Sequence, residues 1–161
     1  MKTINKTTSL VCLVFIFVIS ACRANVSRND DGSLTVETSI TQSELQEVIT
    51  SSIADPLVKN ITVTLQTGYV LVSGERQRLN DSSKIDALSF RLDLGVSNGQ
   101  LTSTISNAQL DGKPLEQNRV DNWNQTITNR LSKWEQKNEN ATLQSVSITT
   151  EAITMTWIVK R

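Results

Sequence analysis

Ala87-Leu88-Ser89-Phe90-Arg91-Leu92-Asp93-Leu94-Gly95-Val96-Ser97-Asn98-Gly99-Gln100-Leu101-Thr102-Ser103-Thr104-Ile105 is the stretch that decides the fold. Leu88, Phe90, Leu92, Leu94 and Val96 fall on one side of an extended chain, with Ala87, Ser89, Arg91, Asp93 and Gly95 on the other. Such alternation marks a half-buried strand, because successive side chains of a strand point to opposite faces. Asn98-Gly99 supplies two residues that tolerate positive φ, the requirement of a tight hairpin turn, and Leu101, Ser103 and Ile105 begin the return strand. The apolar parity then moves to Ala108 and Leu110, which predicts a bulge near Ser106-Asn107 before Asp111-Gly112-Lys113-Pro114 closes the strand.

Upstream, Ile61, Val63 and Leu65 alternate, Gln66-Thr67-Gly68 turns, and Tyr69 to Glu75 continues as a second strand, with Gly74 as a candidate bulge. Leu34, Val36, Thr38 and Ile40 form an earlier strand. A helix follows it directly: Thr41-Gln42-Ser43-Glu44 has the residues of a capping box, and Ile40 with Leu45 the hydrophobic staple. Leu45, Val48, Ile49 and Ile53 recur at helical spacing until Asp55-Pro56 ends the run. Downstream, Val120, Trp123, Ile127, Leu131 and Trp134 form the narrow apolar stripe of a second helix. Two last strands lie around Leu143 to Thr149 and along Ile153, Met155, Trp157 and Val159. The order is β-α-β-β-β-β-α-β-β. Short connections predict an α+β fold: a curled antiparallel sheet of six or seven strands covered by two amphipathic helices.

The N-terminal region gives an address. Lys2 and Lys6 precede an apolar run, Leu10 to Ile19, too short to cross the ~30 Å core of a bilayer as a permanent helix. Ile19-Ser20-Ala21-Cys22 resembles the lipobox of bacterial lipoprotein signals, in which the chain is cut before a cysteine that carries acyl chains. On this reading residues 1–21 are a signal peptide, 22–32 a lipid-anchored tether and 33–161 one domain. The domain is exported and held on the cell membrane or outer membrane of a bacterium through acyl groups on Cys22. Two or more chains hold stably, since each buried CH2 contributes about 0.8 kcal/mol. Cleavage at Ala21 or Ala24 by an ordinary secretory route would export the domain without the anchor.

Composition removes whole classes of function. The chain has no histidine, Cys12 lies within the signal and Cys22 is used by the anchor. Ser-His-Asp and Cys-His nucleophile systems, Cys/His zinc sites and disulfides are therefore not expected. The six glycines lack phosphate-loop spacing, and no paired carboxylates stand out beyond Asp30-Asp31, so neither enzyme nor cofactor is expected. Sixteen basic and sixteen acidic residues, less Lys2 and Lys6 in the signal, leave a balance of about −2, with no footprint for nucleic acid.

Ile40-Thr41-Gln42-Ser43-Glu44-Leu45, the hairpin Ile61 to Leu65 with Gly68 to Gly74, Asn98 to Leu101 and Ala108 to Leu115 resemble the YceB-like and LmeA-like exported bacterial proteins, a likeness spanning Leu34 to Trp157. The resemblance implies half of a tubular lipid-binding module, in which a curled sheet wraps a helix around an apolar groove, and binding of a lipid or apolar small molecule rather than catalysis. Val48, Ile49, Ile53, Phe90, Leu92, Trp123, Ile127, Leu131 and Trp134 are the candidate lining residues. The same residues fit the core face of helices lying on a sheet, the commoner role of such stripes. Arg76, Arg78 and Arg91 are candidates for a cationic patch, or simply the wet face of strands. The alternative function is a structural or protein-interaction module of the cell envelope, its protein partner unspecified.

Overall fold

The computed structural model describes residues 25–134, without the side chain of Trp134, and 140–160. Nine strands and two helices follow in order: β1 (Asn25–Arg28), β2 (Leu34–Thr41), α1 (Gln42–Ser52), β3 (Val58–Gln66), β4 (Tyr69–Gln77), β5 (Ile85–Ser97), β6 (Gln100–Leu110), β7 (Lys113–Pro114), α2 (Gln117–Leu131), β8 (Ala141–Ile148) and β9 (Ala152–Val159). A 3-10 turn, Ser132–Trp134, extends α2. The class is α+β, and all strand pairs are antiparallel.

Local chemistry explains the elements that periodicity announces. At the start of α1 the Thr41 hydroxyl accepts from the Glu44 amide, and the Glu44 carboxylate accepts from the Thr41 amide at 2.8 Å, satisfying two groups that the helix itself leaves unpaired. Leu45 and Ile49 are fully buried below it. Asn98 and Gly99, at φ 53° and 75°, make the hairpin turn between β5 and β6. The bulge in β6 falls at Asn107-Ala108, where Asn107 adopts φ 51° and two residues face Phe90. The irregularity near Gly74 lies instead on the partner strand: Asn60 and Ile61 of β3 bulge against it. A Cβ at Gly74 would meet the Lys59 carbonyl oxygen at 3.4 Å, an ordinary contact, so the bulge does not depend on glycine there.

Two differences from the sequence reading concern tertiary pairing. The strands form two sheets rather than one, in orders β1-β2-β9-β8 and β3-β4-β5-β6-β7. Periodicity says which residues are extended and which face is dry, and nothing about which strand is the neighbour. The second correction falls within 22–32, read as a tether. Asn25–Arg28 is a strand, paired with β2 from Asn25↔Glu37 to Arg28↔Leu34. Its polar residues give no alternation, and the pairing is set by the turn that follows. There Asp31 accepts from both the amide and hydroxyl of Ser33, at 2.9 and 2.6 Å, and Gly32 adopts φ 83°.

A single core joins both sheets. Val63, Leu65, Val70, Val72, Leu88, Phe90, Leu92, Leu101 and Ile105 line the larger sheet's inner face, and Ile40, Ile153, Met155, Trp157, Leu143 and Ile148 that of the smaller. Helix α1 packs on β3, α2 on β6, and the helices on each other. The sheets meet where turns of the larger one reach β8: the Gly68 amide donates to the Ile148 carbonyl at 3.0 Å, and the Leu143 amide to the Gly99 carbonyl at 2.9 Å.

Gly99 answers two demands at once, since a Cβ would lie 2.5 Å from Thr142 Cγ2 and φ is 75°. Gly99→Ala is expected to lower unfolding free energy by about 1–3 kcal/mol, the usual cost of forcing a side chain into this backbone region. Denaturant titration measures it. Thr142→Ser, which removes the clashing methyl, should recover part of the loss in the double variant, and equal losses with and without Thr142→Ser would refute the contact.

Candidate functional site

The candidate lining residues converge, as the stripe pattern requires, on the space between the helices and the larger sheet. Ile49, Leu92, Ile127 and Leu131 are wholly inaccessible, Phe90 is 1% exposed, and Val48, Ile53 and Trp123 are 6–8% exposed. The Phe90 and Trp123 rings meet at a centroid distance of 6.0 Å, tilted by 41°, the favoured kind of aromatic contact. These residues pack against one another and fill the volume. The side chain of Trp134 and all of Cys22 lie outside the described residues. Of the eight described, Val48 and Phe90 each contribute to a surface hollow.

The surface hollows are open and mixed in polarity. One of about 290 Å³ runs along the seam of the two helices, floored by Val48 and rimmed by Glu44, Glu47, Ser51, Arg130 and Lys133. Another, of about 360 Å³, lies near the far end of the larger sheet and contains Arg76, Arg78, Asp86, Lys113, Glu116 and Arg119.

This second cleft has the densest charge network. Asp55, just past α1, accepts from Arg76 Nε of β4 at 2.9 Å, from Arg119 Nη1 of α2 at 3.3 Å and from the Leu57 amide at 3.0 Å. Arg78 Nε donates to Asp86 at 2.7 Å, and its Nη2 lies 3.6 Å from Asp111. Burial pushes the Asp55 carboxyl up, but the hydrogen bonds from Arg76 and Leu57 and the charges of Arg76 and Arg119 outweigh it, leaving its pKa below the ordinary carboxylate value. The hydrogen bond that Arg78 donates to Asp86, and the charge of that carboxylate, raise the Arg78 pKa. Each of these arginines already has a carboxylate partner, which offsets the positive charge of the cleft. Arg91 belongs elsewhere: its guanidinium lies 4.2 Å over the Tyr69 ring and is bonded to Asp93 at 2.6 Å. The three arginines therefore do not form one patch.

The roles of four residues escaped the sequence reading. Asp55 reads there only as a helix terminator, and Arg119 carries no periodic or motif signal. Gln42 and Gln46, on the polar side of α1, accept from the backbone amides of Leu65 and Val63 at 3.3 and 2.7 Å, and Gln46 also donates to the Ile61 carbonyl. They close the free edge of β3 with side-chain amides, a standard means of blunting an edge strand. Among the described residues no group of three or more acidic, cysteine or histidine side chains is placed to hold a metal ion.

Comparison with known protein families, with curated proteins and with solved structures finds no match to this chain.

Asp55→Asn should destabilise the fold by about 1–3 kcal/mol at neutral pH, since it removes the charged acceptor of two guanidiniums. A depressed carboxyl pKa stabilises above the unfolded value, near 3.8, and that contribution is lost as pH falls through the lower folded value. The gap between wild type and Asp55→Asn in denaturant melts should be full well above the unfolded value and should shrink as pH falls below it, through the lower folded value. A gap independent of pH would show that the ion pairs contribute nothing.

Proposed function

We propose that this chain is an exported, non-catalytic lipoprotein of the bacterial cell envelope, anchored through acyl chains on Cys22, that works through its surface as a structural or protein-interaction module. The observation that supports this reading over internal ligand binding is the filled helix-sheet interior, where Ile49, Leu92, Ile127 and Leu131 leave no accessible surface. A lipid-sized guest needs a cavity of about 300 Å³ or more that buries most of its area, and the apolar residues that would line one already bury each other. The anchor rests on Ile19-Ser20-Ala21-Cys22 and the charged, apolar segment before it.

A second reading, binding of a lipid or other apolar ligand, keeps one foothold in the hollow floored by Val48 along the α1–α2 seam. A guest there would need the helices to part. No nucleic acid and no cofactor belong to either reading.

Purification from bacterial membranes followed by intact mass measurement separates these. The expected protein begins at Cys22, carries acyl mass, and moves to the aqueous phase of a detergent partition in the Cys22→Ser variant. Native mass spectrometry and organic extraction should yield no stoichiometric lipid beyond the anchor, with one protein dominating crosslinks in native membranes. A bound lipid released on denaturation would favour the second reading, and an unacylated cytosolic chain would overturn both.

A further inference from the structure

We propose that the outer edge of the smaller sheet, strand β1 with Val26, lies against the surface of the bilayer, and that the loop bearing Leu79 points away from it. The proposal rests on the acyl anchor of the preceding section and adds the face that meets lipid.

Cys22 stands three residues before Asn25, the first residue of β1. A chain spans at most about 3.6 Å per residue, so an acylated Cys22 holds the start of β1 within about 11 Å of the acyl–headgroup boundary. That leaves no room for a stand-off tether. Strand order then orients the domain: β8 is the edge joined to the turns of the larger sheet through Gly68 and Gly99, and β1 is the opposite edge, two strands removed. The anchor emerges on the side away from the larger sheet.

The edge itself suits this position. All four residues of β1 are exposed, whereas β3 has its edge groups bonded by Gln42 and Gln46, and β8 by the two turns. An open strand edge does not enter hydrocarbon, because its amides and carbonyls would lose water, but the hydrated headgroup layer can accommodate it. The bilayer would also shield that edge from pairing with other chains. Val26 pairs with Val36, on the face that Trp157 and Leu143 share, and is 58% exposed, leaving an apolar side chain beside the anchor. Charge at this edge is mixed, with Arg28 on β1 itself, Glu37 opposite Asn25 and Lys160 beside Asp31, so it offers anionic lipid no net attraction. Contact should therefore not require it.

Leu79 and Ile85, 79% and 59% exposed, flank the β4–β5 connection. Nine-residue β4 carries the chain about 25 Å from the Gly68 junction to this loop.

The mature chain lacks any thiol other than the acylated Cys22, so an introduced cysteine is a unique labelling site. Val26→Cys and Leu79→Cys, with Ser27→Cys as a second edge position, are labelled with an environment-sensitive fluorophore in the lipidated full chain. They are then placed in phosphatidylcholine vesicles with and without headgroup-nitroxide lipid. Labels at 26 and 27 should be quenched several-fold more than the label at 79, to the same extent when anionic lipid is added. Equal quenching at 26, 27 and 79, or none at 26 and 27 on a protein that floats with vesicles, overturns the orientation while leaving the anchor intact. Self-quenching at 26 that fades on dilution with unlabelled protein, without nitroxide quenching, would assign the edge to a second copy and overturn it too. A chain whose intact mass lacks acyl groups and which does not float overturns the anchor and the orientation together.

Discussion

The two sheets share one core, and two backbone hydrogen bonds at β8 fix the turns of the larger sheet on the edge of the smaller. Each sheet is open, and each has a single apolar face that must be hidden from water. The turns at Gly68 and Gly99 dock on β8 through the Ile148 carbonyl and the Leu143 amide, sealing the junction so that both inner faces drain into one core. The approach is close enough that position 99 admits no side chain. The hairpin turn that fixes the register of β5 and β6 is thus also the contact that fixes one sheet on the other.

From that seal the helices acquire their place. Helix α1 continues directly from β2 of the smaller sheet and lies on β3 of the larger, while α2 lies on β6. Between them the side chains of Leu45, Ile49, Ile127 and Leu131 close the centre. Burial of each contributes about 1.5–3 kcal/mol, a gain that a permanently open apolar groove would forgo. The filled centre moves functional interest to the outside, where ion pairs knit the α1–β3 connection to β4 and α2 through Asp55.

The treatment of sheet edges divides along the same line. Glutamine side chains cover β3, the docked turns engage β8, and β7 is two residues long and contains Pro114. A short, proline-bearing edge strand cannot recruit a partner. Among the described residues strand β1 has none of these devices, and all four of its residues are exposed.

Patterning by itself determined the strands from Leu34 onward other than β7, both helices, the capping box, the Asn-Gly turn and the bulge near Asn107, because each follows from local sterics or from a period of two or 3.6 residues. It also determined that Phe90 lies on the dry face of its strand and that Trp123, Ile127 and Leu131 share the dry face of their helix. Only the tertiary structure decided that the strands divide into two sheets, that Asn25–Arg28 pairs at all, and that those apolar faces fill rather than line the interior. The same holds for the meeting of Asp55 with Arg76 and Arg119, 21 and 64 residues further along the chain. Pairing, filling and charge contact depend on which distant surfaces arrive together, and periodicity records only which way each residue faces along its own element.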